Sequence, residues 1–431
     1  MHYNKLITNS NNKDYVEHCQ NRNTHNNKDE IPPLYIDGSV VEDHQNIANI
    51  FSTYFTTVTD KMGANNLVYI NASSNNADPL SYLYQVFTSQ FPSIKLTPVT
   101  LKEIREIIKS LRWKNSHGYD DISMKILKIS LPFIESPLTY ICNRMLTTGI
   151  FPTRLKFSQI HPVFKKGNKI EISNYRPISL LTSFSKTFEK VIYKRLYCHI
   201  NTNKILAREQ DGFRSNSYTE TAAYNLINNI IEALNSNKWV GGIFCDLTKA
   251  FDYVNHNILL SKLEFYGITG KAKNLIKSYL NDRYQRVRIK NKYLKNHFSE
   301  WEKVRQGVPQ GSVLGPLFFL LYINDLPGII NDTYISKPTI FADDTNIIIT
   351  NPKISVFKEE INAVVEKISN WFQTNLLILN FNKTYYMHFS ARSKHLIDIQ
   401  LSYKGNYITN TLSTRFLGLT LDSTMSWNLT Y

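Results

Sequence analysis

Cysteine is scarce in this 431-residue chain, and its four residues, Cys19, Cys142, Cys198 and Cys245, are widely scattered. No Cys-x-x-Cys pair or Cys/His spacing marks a zinc site, and four dispersed thiols do not make a disulfide scaffold, so a reducing compartment fits. Long hydrophobic runs are lacking too. The longest, residues 313–323, contains Gly315 and Pro316 and is too short to cross a bilayer, which takes about 20 apolar residues. The Asn-rich N-terminus lacks the apolar centre of a signal peptide, so no membrane partner is expected. Acid is under-represented, with 35 Asp and Glu against 50 Lys and Arg, giving a net charge of +15. A surplus of that size points to a polyanion, nucleic acid first, as partner. Hydrophobic residues at 42% place the chain among globular proteins with a sizeable core.

Along the chain, residues 1–30 have no apolar periodicity and read as a flexible lead-in. Residues 31–41 read as an extended segment turning at Asp37-Gly38. A helix follows with Ile47, Ile50, Phe51, Tyr54, Phe55 and Val58 on one face. Residues 62–92 then lose periodicity and read as a linker, so that 31–92 forms a connector. Thr100 and Glu103 have capping-box spacing ahead of Leu101, Ile104, Ile107, Ile108 and Leu111. From residue 93 onwards helical patterns and short strands alternate as one folded unit, which points to an α/β or α+β architecture.

The stretch "TIFADDTNIIIT", residues 339–350, places Asp343 and Asp344 between two β-branched apolar runs. It reads as a hairpin with two acids at its tip. An isolated Asp-Asp there is ordinarily a solvated turn, so a third carboxylate elsewhere is needed to suggest chemistry. Residues 240–245 form a short apolar strand, and Asp246 stands at its C-terminal end. Asn255 then caps a helix carrying Ile258, Leu259, Leu263 and Phe265. A carboxylate at the end of a buried strand is costly unless a cation or hydrogen bonds compensate. Two-metal phosphoryl transfer needs such acids, since two divalent ions about 3.5–4 Å apart clamp the attacking and leaving oxygens. Asp252, in the turn after Asp246, reads as structural.

Between these acids lies "VRQGVPQGSVLGPLFFLLYINDL", residues 304–326. Gly307, Pro309 and Gly311 constrain a turn before an apolar helix beginning near Ser312. Such a turn lets backbone N–H groups approach a phosphate or nucleotide, and Gln310 adds a donor and an acceptor. Upstream, Lys165, Lys166, Lys169 and Arg176 cluster near Tyr175. Pro177 biases Arg176 towards an extended backbone, and Arg grips phosphate bidentately while Lys acts as a point charge. With "QDGFR" at 210–214 these residues mark a basic zone.

In order, "NYRPISLL" (174–181), "QDGFR" (210–214), "DLTKAFDYVNH" (246–256), "GVPQGSVLGPLFF" (307–319), "FADD" (341–344), "LNFNKT" (379–384) and "FLGLTLD" (416–422) resemble the reverse transcriptase domain of jockey-like non-LTR retrotransposons. The resemblance runs from about residue 97 almost to the C-terminus. It implies an α+β right-hand polymerase fold, with 93–240 mainly fingers, 241–390 mainly palm around an antiparallel sheet, and 391–431 the palm end and the start of a truncated thumb. It implies that Asp246 and Asp343 bind Mg²⁺, with Mn²⁺ as a substitute, and that Asp344 completes the acidic triad. Phe251 matches the gate that screens the ribose 2′ position. Arg176 and Lys165 match triphosphate-binding fingers, Gln310 and Gly311 the segment beside nucleotide and template, and Lys383 a general acid for pyrophosphate.

The implied activity is RNA-directed DNA synthesis using an RNA template, a DNA primer or target DNA, and dNTPs. An intracellular ribonucleoprotein setting follows from the family, and no specific protein partner is indicated. Elements of this type usually carry an upstream endonuclease and a downstream thumb. The chain is therefore expected to be a fragment lacking the endonuclease, with the thumb largely missing. The alternative is a catalytically silent, retroelement-derived RNA-binding protein. A group II intron-type enzyme would share the chemistry but fits "DLTKAFDYVNH" less well.

Overall fold

Two sheets and the helices between them position everything that follows. The computed structural model describes residues 31–36, 38–71, 78–215, 217–291, 293, 295–331, 335–390 and 399–426. It opens with a hairpin, β1 (Leu34–Ile36) and β2 (Ser39–Val41), and a long helix α1 (His44–Asn71). Helices α2 (Pro79–Val86), α3 (Leu101–Ser110) and α4 (Met124–Thr148) lead to strands β3 (Phe157–Phe164) and β4 (Tyr175–Leu181). Then come α5 (Ser183–Thr202), α6 (Thr219–Asn235), β5 (Trp239–Cys245), α7 (His256–Phe265) and α8 (Gly270–Leu280). Strands β6 (Arg283–Lys290), β7 (Asn296–Phe298) and β8 (Glu302–Val304) precede α9 (Gly315–Tyr322) and α10 (Leu326–Ile330). The chain continues through β9 (Ser336–Phe341), β10 (Asp344–Asn351), α11 (Ile354–Thr374) and β11 (Tyr385–Phe389). It closes with β12 (Leu401–Tyr403), β13 (Asn406–Asn410), β14 (Ser413–Phe416) and β15 (Leu419–Asp422). Mixed helices and sheets of this kind make an α+β fold.

The central sheet has the order β12-β13-β11-β5-β10-β9, and β5 pairs antiparallel with both β10 and β11. Its side chains divide by the two-residue period of a strand. Ile243, Cys245, Ile347, Ile349 and Tyr386 enter the largest core, which also holds α9 and α11. Val240, Phe244, Ile348, Met387 and Phe389 face a second core with α6 and the β14–β15 hairpin. Burial on both faces explains the unbroken run Ile347-Ile348-Ile349, since a strand covered on both sides has no polar face to alternate with. Helix α9 is apolar all round for the same reason and is almost wholly buried. It begins at Gly315, three residues after the expected start near Ser312.

The second sheet runs β4-β3-β6-β7, with β8 also paired to β6. One face is covered by α1, whose Ile47, Phe51 and Phe55 pack with Ile160, Tyr175, Val287 and Ile289 in a third core. The helical face read from Ile47 to Phe55 is thus correct, but α1 continues to Asn71, into the stretch expected to be a linker. That stretch also holds α2, capped by Asp78 with Pro79 in its first turn. The Tyr84 ring of α2 lies edge-on to Phe265 at 5.1 Å. The expected flexible lead-in and Asp37 fall outside the described residues. Among the described residues no helix is long and apolar enough to cross a membrane.

The capping expected at residue 100 is half present. Thr100 Oγ1 accepts from the Glu103 N–H at 3.1 Å, but the Glu103 carboxylate turns to Arg195 at 2.7 and 2.8 Å. A charged partner on a neighbouring helix outcompetes the local backbone N–H.

Candidate active site

Adjacent strands bring the three acids to one end of the central sheet. Cys245 pairs with Thr345, so Asp246 and Asp344, one step further along, leave the same edge of β5 and β10. Phe341 pairs with Asp344, which leaves Ala342 and Asp343 as a two-residue turn. Ala342 sits at φ +57, a left-handed conformation that such turns usually assign to Gly or Asn. Burial pushes the Asp343 carboxyl above the ordinary carboxylate range, the Asp246 charge adds to this, and Arg176 and Lys165 oppose it. Asp344 keeps solvent access, but partial desolvation and then the charges of Asp343 and Asp246 push it up to about 6. The three acids thus repel one another.

The basic residues come from the second sheet. Lys165 follows β3, and Arg176 lies exposed on β4, opposite Val163. Partial desolvation lowers the Lys165 pKa, the cations Arg176, Lys383 and Lys166 lower it further, and Asp246 opposes them. Lys165, Arg176, Asp246 and Asp343 therefore share one electrostatic field, with Lys383 at its margin. The three acids, Lys165 and Arg176 thus lie within electrostatic reach of one another.

Phe251 stacks on Phe319 with ring centres 4.7 Å apart and meets Phe213 edge-on at 6.4 Å. Gln310 is engaged otherwise than expected. Its side-chain amide donates to the Asp252 carboxylate at 2.9 Å, and its carbonyl accepts from the Ser179 N–H at 2.8 Å. It therefore ties the turn after Asp246 to β4, and Asp252 has the structural role read for it. Gly311, exposed at φ +109, passes close to the Ser179 carbonyl. Gly307 is required where it stands: at φ +81, a Cβ there would lie 2.7 Å from the Asp252 carbonyl oxygen.

A family model described as reverse transcriptase (RNA-dependent DNA polymerase) matches residues 163–421, more than half of the chain. The chain belongs to the reverse transcriptase family. It is 30% identical over 347 residues to a probable RNA-directed DNA polymerase from transposon BS of Drosophila melanogaster, covering 78% of this chain and 37% of that protein. It is 27% identical to the RNA-directed DNA polymerase from mobile element jockey of the same organism, covering 78% and 36%. A third relative, the probable RNA-directed DNA polymerase from transposon X-element, is 28% identical over 77% of this chain and 36% of its own length. The chain thus spans little more than a third of these relatives.

Two side chains of this reverse transcriptase domain, Asn380 and Gln210, support the acids and were not singled out individually from the sequence. Asn380 donates its backbone N–H to the Asp246 carbonyl at 2.8 Å and its side-chain amide to Asp246 Oδ2 at 3.3 Å. The motif "LNFNKT" thus contributes an orienting Asn as well as Lys383. Gln210, 2% exposed, accepts through Oε1 from the Gly212 and Ala342 N–H groups at 2.8 and 3.0 Å. Asp211 N–H donates to the Ile340 carbonyl, and Ile340 N–H to Glu209. "QDGFR" is therefore a brace on the Asp343 turn, and its Arg214 donates to the Ala207 carbonyl at 2.9 Å. Gly212 permits that approach, because a Cβ there would lie 2.2 Å from the Ala342 nitrogen.

Glu189, fully buried on α5, accepts from the Val313 N–H at 2.6 Å. The amides expected to face a phosphate are partly taken by this carboxylate. Burial raises its pKa, with Arg283 and the N–H groups of Val313 and Leu314 opposing. The short loop motif carried no signal of a partner 124 residues away.

Proposed function

We propose that this chain is the polymerase core of a jockey-like non-LTR retrotransposon and carries out RNA-directed DNA synthesis. In this reading the central sheet is the palm, the sheet of β3, β4 and β6 belongs to the fingers, and a template–primer duplex lies between them. The observation that carries it is the meeting of two opposed sets of charge: Asp246, Asp343 and Asp344 on one sheet, and Lys165 and Arg176 from the other.

The donor set fits a hard divalent cation such as Mg²⁺, or Mn²⁺ in its place: all ligands are carboxylate oxygens, and their mutual repulsion is relieved by positive charge. Among the described residues no three acidic, His or Cys side chains are close enough together to enclose an ion by themselves. That accords with Mg²⁺ sites completed by waters and substrate phosphates. When bound, the cation supplies charge stabilisation at the reacting phosphate and activates the primer hydroxyl.

The chain's own residues do the rest. Asp246 and Asp343 hold the acidic end of the site, and Asp344 adds to its field. Arg176 and Lys165 grip the triphosphate, and Gln310 and Gly311 border nucleotide and template. Phe251, backed by Phe319, blocks a 2′-hydroxyl on the incoming sugar. The primer 3′-hydroxyl attacks the α-phosphate and pyrophosphate leaves, with Lys383 as its proton donor in this reading. Catalysis arises from positioning and charge stabilisation. The basic surface binds RNA template and DNA primer through phosphates, so affinity falls with salt.

Primer extension on an RNA template with dNTPs and Mg²⁺ is the test. Asp343→Asn is expected to lower the rate by about a hundred- to a thousandfold, the range in which a key electrostatic group acts, with the fold retained. Equal synthesis by both proteins sinks the proposal. RNA binding without incorporation by the wild type points to the silent alternative.

A further inference from the structure

The nucleotide-gating turn is held from outside the family-matched span. Phe251 stands two residues after Lys249, which adopts φ +46, a left-handed conformation that is strained for a long side chain. The Lys249 carbonyl accepts from the N–H groups of Asp252 and Tyr253 at 2.8 and 3.2 Å. Lys249 is thus the corner on which the turn is folded. Its ammonium donates to the Tyr54 hydroxyl at 3.1 Å and lies 4.2 Å from the centre of the Tyr54 ring.

Tyr54 lies on α1, 195 residues away, and α1 does not move freely. Phe51 and Phe55, flanking Tyr54 in the helix, are buried against the second sheet. Gln45 Nε2 donates to the Phe298 carbonyl at 2.6 Å. On the other side the same turn is held by Gln310 on Asp252. A strained corner persists only where its surroundings over-determine it, and Tyr54 supplies that constraint through both a charge-assisted hydrogen bond and a cation–π contact.

We propose that Tyr54 is a positioning residue for nucleotide selection: through Lys249 it fixes the turn that presents Phe251 to the incoming sugar. The helix preceding the family-matched residues is then part of the specificity apparatus, acting without touching the nucleotide. This rests on the polymerase reading above.

The test is steady-state primer extension with dNTP and rNTP titrations for the wild type, Tyr54→Phe, Tyr54→Leu and Lys249→Met. Tyr54→Phe removes only the hydroxyl and is expected to raise the dNTP KM about fivefold, the scale of one lost hydrogen bond, with kcat within about twofold. The preference for dNTP over rNTP should fall by a similar factor and fall further in Tyr54→Leu. Lys249→Met should reproduce the loss, and combining it with Tyr54→Phe should add little. Thr57→Val, on the same helix, should leave both readouts unchanged. Should Tyr54→Leu disturb the packing of α1, Tyr54→Phe still carries the test because it keeps the ring. An active wild type whose two Tyr54 variants retain the wild-type KM and sugar preference overturns this inference alone. A wild type that extends no primer overturns the polymerase reading and this inference with it.

Discussion

Asn380 holds Asp246 at two points, donating its backbone N–H to the carbonyl and its side-chain amide to the carboxylate. On the proposed reading Asp246 holds Mg²⁺; the outer partner of such a ligand fixes its orientation, and its loss typically costs about 10–100-fold in metal affinity or activity. Asn380→Leu is therefore expected to raise the Mg²⁺ concentration for half-maximal primer extension by about tenfold or more. A Mg²⁺ titration unchanged from the wild type would show that the contact orients nothing that matters.

Gln210 makes a second prediction. Gln210→Leu leaves the Gly212 and Ala342 N–H groups without their acceptor in a buried place. The expected loss is about 2–5 kcal/mol, the sum of two unsatisfied donors, visible as a lower urea midpoint. The extension rate should drop more than the folded fraction does, because the Asp343 turn loses its brace. An unchanged midpoint contradicts the assignment.

Asp252 gives a pH dependence. Burial raises its carboxyl from 3.8 to about 6, against the Gln310 hydrogen bond and the Lys249 charge. A carboxyl raised on folding binds more protons in the native state. It therefore stabilises fully below about pH 3.8, and that contribution is lost as pH rises through about 6. Asp252→Asn keeps an oxygen to accept from Gln310 and carries no charge. It should be more stable than the wild type by about 1–3 kcal/mol at pH 8, following the size of the shift, and no more stable near pH 4. Urea unfolding at the two pH values checks the sign, and a gain confined to low pH would refute it.

Local pattern carried part of this fold plainly. The apolar strand ending at Asp246, the Asn255 cap and the paired runs around Asp343 are all written in neighbouring residues, where strand period and capping chemistry act. Partner choice over long separations was not. Gln310 finds Asp252 across 58 residues, Gln210 finds Ala342 across 132, and Asn380 finds Asp246 across 134. Each is a short polar group in a loop motif, equally compatible with solvent, a ligand or another loop. Helix α2 was missed for a related reason. Asp78 and Pro79 announce its start, but its eight residues pack on distant helices, Tyr84 against Phe265 of α7 and Val86 against Gly328 of α10, which local periodicity does not record.

The Ala342–Asp343 turn has a consequence for length variation. It joins β9 to β10 with two residues, and β10 is covered on both faces. One inserted residue would slip β10 by one position, exchanging Ile348 with its neighbours between two differently shaped cores and moving Asp344 away from Asp246. The connection between β3 and β4, residues 165–174, faces no such condition and can change length at its exposed Lys166–Gly167 stretch without moving a core side chain. An added residue is thus expected to disturb the acids at the β9–β10 turn far more than one at Lys166–Gly167 disturbs the second sheet.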